Sequence, residues 1–236
     1  MQPELGNSHS PRNLIFDADD TLWENNIYFE EAFAKFYDYL AHSSLTPDQV
    51  RTVLDEFEIA NARIHGYGAR NFGRNLATCY RHLVERDISE RDVEAVMAFA
   101  HQILDKPMEL IDGVEETLAE LSLRHRLFIF TKGDPDEQRL KIDRSGLGRH
   151  IQHADIVKEK NEAAYRELAA GHGLVPDQTW MIGNSPKSDI NPALAAGLNA
   201  VFVPHARTWS LENEAVPASH PRLIRVERIG DLLQHF

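Results

Sequence analysis

The chain has 236 residues and a formal net charge of −12, with 25 Lys and Arg against 37 Asp and Glu. Its 42% hydrophobic and 26% charged residues are those of a globular chain, long enough for one domain with a sizeable insertion or for two small domains. No apolar run nears the ~18–20 residues of a bilayer span, and the acidic excess weighs against a nucleic-acid backbone as partner. An acidic protein acting on an anionic substrate needs a local device to attract it, and a bound cation is the obvious one.

Residues 1–12 are polar, carry Pro3, Gly6 and Pro11, and lack an apolar signal-peptide core, so a frayed tail is expected there. Cys79 is alone and has no internal disulfide partner. Together these point to a reducing compartment, the cytoplasm. The run 13–16 is apolar on consecutive positions and stops at Asp17. The same form recurs at 127–130, 179–182 and 200–203, stopping at Thr131, Gly183 and Pro204. Such runs read as strands of a parallel sheet covered on both faces. Helical patterns at 114–123, 137–145, 161–172 and 188–196 alternate with them, which predicts an α/β fold with a Rossmann-like parallel sheet flanked by helices.

Between Thr21 and Asp112-Gly113 the alternation stops. Phe29, Phe33, Phe36, Tyr37 and Leu40 keep helical spacing, and Thr46-Pro47 opens a second helix as N-cap and first turn. Val50, Val53, Leu54, Phe57 and Ile64 are expected on the buried face of that helix. A third helix is expected over 72–84, and Ser89 with Asp92 starts a fourth that ends at Pro107. The organisation is thus a core of 13–23 and 108–236 with an all-helical insertion at 24–107.

The chemistry gathers at the strand ends, where open α/β sheets bind ligands. Asp17, Asp19 and Asp20 lie within four residues and repel one another unless a cation or proton relieves them. Asp17 and Asp19, two apart on an extended segment, could both reach one Mg²⁺; the alternative is an Asp-rich cap for the next helix. Thr131, Lys132 and Gly133 offer a hydroxyl and backbone N–H groups suited to a phosphate oxygen. Gly183 to Asp189 follows the third strand as either a metal site or a helix cap.

The segment Phe16-Asp17-Ala18-Asp19-Asp20-Thr21-Leu22 resembles the DxDx[TV] motif of the haloacid dehalogenase-like (HAD) hydrolases. Thr131 matches their second motif, Lys160 the third, and Gly183 to Asp189 the fourth, G-D-x-x-x-x-D. The resemblance implies a Rossmann-like core, a C1-type helical cap, bound Mg²⁺ and an aspartyl-phosphate intermediate. It implies a phosphatase acting on a small phosphorylated metabolite, with Asp17 as nucleophile and Asp19 as acid and base. Thr131, Lys132 and Lys160 would hold the phosphate, and Asp17, Asp19, Asn184 and Asp189 the metal. In the acid role Asp19 is expected to carry a raised pKa.

Asn184 departs from the pattern, which has an acid there, so a weaker metal site is expected. Lys160 is preferred over Lys158 because it directly precedes a helix. Trp23 and Arg70 are candidate substrate contacts, against hinge packing for Trp23 and surface pairing for Arg70. Within the same fold the alternatives are a 2-haloacid dehalogenase, a phosphomutase, or a weakly active ligand-binding or regulatory protein. Asp19 argues against the dehalogenase, since halide leaves a carbon without an acid.

Overall fold

The computed structural model describes residues 10–236. Of the expected tail, residues 1–9 lie outside the described residues, whereas Arg12 is already docked. Its carbonyl accepts from the Arg126 N–H at 3.0 Å, and its own N–H donates to His125 Nδ1 at 3.2 Å.

Six parallel strands form one sheet: β1 (Asn13–Phe16), β2 (Arg126–Lys132), β3 (His153–Val157), β4 (Thr179–Gly183), β5 (Asn199–Phe202) and β6 (Leu223–Arg225). Their order is β3-β2-β1-β4-β5-β6. In β1 every residue is buried because both faces are covered. Leu14 and Phe16 join Leu127, Ile129 and Ile182 on one face, and Ile15 joins Phe128, Phe130 and Met181 on the other. That side-to-side alternation within a continuous apolar run is what a doubly covered strand requires. The strand order reverses between β1 and β4, so the crevice at their carboxyl ends is the ligand position of this topology. The sequence patterns did not mark β3 and β6 as strands. Both lie at sheet edges and are only partly buried or exposed, so their apolar signal is weak.

The insertion after β1 carries four helices: α1 (Asn26–Leu40), α2 (Pro47–His65), α3 (Ala69–Leu83) and α4 (Glu90–His101). They close around their own apolar cluster of Phe33, Phe36, Leu54, Leu76, Tyr80 and Val96 among others. Thr46 and Ser89 form capping boxes with Gln49 and Asp92, as their spacing suggests. Ile64 departs from expectation. It is 74% exposed, in the last turn of α2. Helix α3 also begins earlier than the pattern implied and takes in Arg70.

The remaining helices are α5 (Val114–Ser122), α6 (Pro135–Ser145), α7 (Glu162–His172) and α8 (Asn191–Ala195). The single helix expected over 188–196 is instead a π-helical turn, Pro186–Ile190, followed by α8. The wider turn belongs to the site, since π-helical turns re-aim side chains where function needs it.

Candidate active site

The carboxyl ends of β1, β2, β3 and β4 bring Asp17, Thr131, Lys160, Asn184 and Asp189 to one cleft between the sheet and the helical insertion. Asp17 follows β1, and its backbone N–H donates to the Ile182 carbonyl of β4 at 2.9 Å, fixing the carboxylate at the crevice. Lys160 is 3% exposed and its Nζ donates to Asp17 Oδ1 and, at 2.8 Å, to Asp189 Oδ1. Lys158 is exposed, so the site uses the lysine that precedes α7. Burial works against the Lys160 charge, but the Asp17 and Asp189 carboxylates outweigh it and hold its pKa above the ordinary lysine value.

The three carboxylates of the first motif separate by role. Asp20 accepts from the N–H groups of Asn25 at 2.9 Å and Asn26 at 3.0 Å, so this one is the cap for the start of α1. Burial pushes its carboxyl up to about 7. Asp19 accepts from Lys141 Nζ at 2.6 Å on both oxygens, from Gln138 Nε2 at 2.8 Å and from Trp23 Nε1 at 2.7 Å. The raised pKa expected of Asp19 is therefore corrected. Burial alone would raise it, but the Lys141 charge and these hydrogen bonds outweigh burial and lower it.

Asp189 is likewise committed. Its Oδ2 accepts from the Ser185 N–H at 2.9 Å while Oδ1 takes Lys160. Gly183 leaves the room for this, because a Cβ there would overlap the Asp189 carboxylate. Burial and the charge of Asp17 push the Asp189 carboxyl up.

Thr21 donates from one hydroxyl toward Asp17 Oδ2 at 3.0 Å and Asn184 Oδ1 at 3.1 Å. One hydrogen cannot serve both, so two buried oxygens converge with a donor for only one. Asn184 is turned this way because its amide nitrogen donates to Thr208 Oγ1 at 2.8 Å. An all-oxygen pair with a deficit of donors fits a small hard cation, which completes its shell with water. Of the four expected metal ligands, the side chains of Asp17 and Asn184 suit the role. Those of Asp19 and Asp189 are engaged by lysines and N–H groups. A second group, Asp20, Glu24 and His205, has ligand atoms within 4.8 Å of one another, but Asp20 is already occupied in capping α1.

Thr131 is 1% exposed at the end of β2 and lines the cleft. Lys132 also lines it, bonding Glu212 at 2.6 Å and Ser188 at 2.9 Å. Glu212 is a buried acid that sequence reasoning missed. It takes Ser185 Oγ at 2.6 Å as well as the Ser188 hydroxyl, and it lies in an aperiodic stretch with no pattern to flag it. Lys141 and Gln138 were also missed, though their spacing of three on α6 places both on one face toward Asp19. Trp23 is fully buried, packs in the sheet core and does not line the cleft. Arg70 is exposed, and its side chain does not line the cleft.

The fold and this cluster of strand-end carboxylates define a hydrolase site of the Rossmann-like α/β class. A family model for haloacid dehalogenase-like hydrolases matches residues 11–197, and the chain belongs to that family. The chain is 31% identical over 153 residues to a phosphoserine phosphatase of Thermus thermophilus, covering 62% of this chain and 57% of that protein. It is 21% identical over 210 residues to a glyceraldehyde 3-phosphate phosphatase of Pyrococcus furiosus, covering 85% of this chain and 84% of that one. The structure superposes with a TM-score of 0.81 and 27% identity on a haloacid dehalogenase-like family hydrolase from Xanthomonas campestris, covering 96% and 94% of the two chains. Among the described residues no helix is long and apolar enough to cross a membrane.

Proposed function

We propose that the protein is a Mg²⁺-dependent phosphatase acting on a small phosphorylated metabolite, with the helical insertion 24–107 as a cap over the site. The observation that carries this reading is the convergence of Asp17, Thr131 and Lys160 at adjacent strand ends of one cleft. The phosphatases among its relatives add support. A bound divalent cation would neutralise the repulsion between the Asp17 carboxylate and the phosphate oxygens.

Asp17 attacks phosphorus in line, the phosphorus–ester oxygen bond breaks, and an aspartyl-phosphate forms. Lys160 and the Thr131 hydroxyl hold phosphate oxygens as charge spreads over them. Lys132, anchored by Glu212, keeps a second cation at the same mouth. Asp19 gives a proton to the leaving oxygen and takes one from the water that later attacks the aspartyl-phosphate. Since Lys141 keeps Asp19 ionised in the resting geometry, the acid role requires that pair to open as the anionic substrate enters and Asp19 to take up a proton from solvent before it protonates the leaving oxygen.

Orthophosphate release from a panel of phosphate monoesters, with Mg²⁺ and with excess chelator, tests the reading. Release that depends on the metal is expected. Halide release from 2-haloacids in chelator, with no ester hydrolysed, would replace the phosphatase by a dehalogenase.

A further inference from the structure

The cleft does not end at the phosphate position. It continues from Asp17 past Tyr67, Asn71 and Phe72 into the helical insertion, where Glu58 and Arg51 line its far end. Among the described residues Arg51 is the cation set against three carboxylates there, Glu30, Asp55 and Glu58. It bonds Glu30 at 2.7 Å and lies 4.0 Å over the ring of Phe33. So placed, it stays 4.0 Å from Asp55 and 3.9 Å from Glu58, beyond hydrogen-bond reach of either.

Glu58 is 8% exposed, and among the described residues its Oε2 has no hydrogen-bond donor. Asp55 Oδ1 and Asn71 Oδ1 are also buried acceptors without a donor, and Asn71 faces the same cleft. A buried acceptor without a partner is costly, and two on residues that line one passage, Glu58 and Asn71, call for a donor-rich guest. The cations of the other wall are engaged already. Lys141 holds Asp19, Lys106 holds Glu31, and Arg144 donates to the Leu104 carbonyl. The two ends of the cleft thus differ: at the core Lys160 and Lys132 are each already paired with carboxylates, whereas under the helices the nearest cation to Glu58, Arg51, stands 3.9 Å away.

We infer that Glu58 binds a primary ammonium group on the alcohol half of the substrate, which makes the preferred substrates phosphate esters of amino alcohols, amino acids or amino sugars. The inference rests on the phosphatase reading above and adds the substrate class to it. A hydroxyl in place of the ammonium would supply a donor but no counter-charge, and a charge-assisted hydrogen bond is the stronger of the two. Burial pushes the Glu58 carboxyl up to about 8 against the pull of Arg51, with Asp55 and Glu30 adding to the rise, so a second cation is what its ionised form lacks. Phe29 and Phe72, with ring centroids 5.1 Å apart, line the passage with apolar surface.

The test compares kcat/KM of the full chain with Mg²⁺ on matched esters. Glucosamine 6-phosphate is set against glucose 6-phosphate, and O-phosphoethanolamine against the monophosphate of ethylene glycol. Phosphocholine, whose nitrogen has no N–H, is the further arm. An advantage of about tenfold or more for the amine member of at least one pair, carried in KM, is the expected result. In Glu58→Gln that advantage shrinks to within about twofold. Equal kcat/KM within every wild-type pair overturns the inference without needing any variant. So does an advantage that survives in folded Glu58→Gln, or phosphocholine serving as well as O-phosphoethanolamine. Hydrolysis of no ester at all removes the phosphatase reading itself, an outcome distinct from hydrolysis without amine preference.

Discussion

At the scale of single residues the site is a balance of four carboxylates, Asp17, Asp19, Asp189 and Glu212, against Lys132, Lys141 and Lys160. Each lysine is bonded to at least one of the acids. Asp17 is the member of the set that sits at the strand crossing with a lysine on one oxygen and a shared hydroxyl on the other. Asp17→Asn keeps the shape and removes the proposed nucleophile, so phosphate release should fall by about 10³-fold or more while the thermal midpoint stays within a few degrees. Substantial residual turnover would assign the attack to another group. Asn184 was legible in the sequence as a departure from the family pattern, but its amide bond to Thr208 was not, because Thr208 lies in an aperiodic loop. Asn184→Asp returns one negative charge beside Asp17. Mg²⁺ should then bind about tenfold more tightly by calorimetry on the substrate-free protein. An unchanged affinity would place the cation away from this side chain.

Among the elements, α3 shows how the helical insertion is held to the core. Its N-cap, Gly68, makes no side-chain cap bond. The missing acceptor comes from α6, where buried Glu137 takes the N–H groups of Ala69 at 2.7 Å and Arg70 at 3.1 Å. An acid at a helix N-terminus also meets the positive end of the helix dipole. Gly68 has φ +112°, and a Cβ there would lie 2.6 Å from Glu137 Oε2, so glycine is needed for the two elements to meet. Next to it Tyr67 donates to Glu159 at 2.6 Å, a second tie across the cleft mouth. Glu137→Ala should cost about 1–2 kcal/mol and raise amide exchange selectively over residues 66–72. Exchange rising evenly over the whole insertion would mean that Glu137 supports the fold in general and not this contact. The glycines around Tyr67 mark this joint in the sequence. The cap itself was hidden, since a tertiary cap contributed 68 residues away carries no local spacing.

For the whole molecule, the doubly covered strands and the interruption between β1 and β2 were readable, because burial on both faces leaves continuous apolar runs and a change of period marks the insertion. The edge strands were not, and neither was the joining of the two halves. Trp23 pairs with Leu110, and the Glu24 N–H donates to the Glu109 carbonyl at 2.9 Å, so the two chain crossings run side by side. The charge balance of the folded chain leads to a pH dependence. Buried acids fall into two groups. Asp19 and Glu212 are lowered, chiefly because lysines outweigh the effect of burial, and contribute stability that is lost only as the pH falls below the ordinary carboxylate range. Glu58 runs the other way, held up at about 8 against a usual 4.5. Arg51 and Asp55 face it from α2, Glu30 from α1 and Cys79 from α3. The folded state therefore binds more protons than the unfolded one between those values, and its stability declines as the pH rises through them. Asp20, pushed up to about 7, adds to the decline in the same direction. With a net charge of −12 the repulsion among the remaining acids only steepens it. The thermal midpoint should peak on the acid side of neutrality and fall steadily from pH 5 to pH 9. In Glu58→Gln, which has no proton to lose, the fall should be smaller by about 2 °C or more. Parallel curves for the two proteins would show that the Glu58 carboxyl ionises as freely in the fold as in water, against its burial and its lack of a donor.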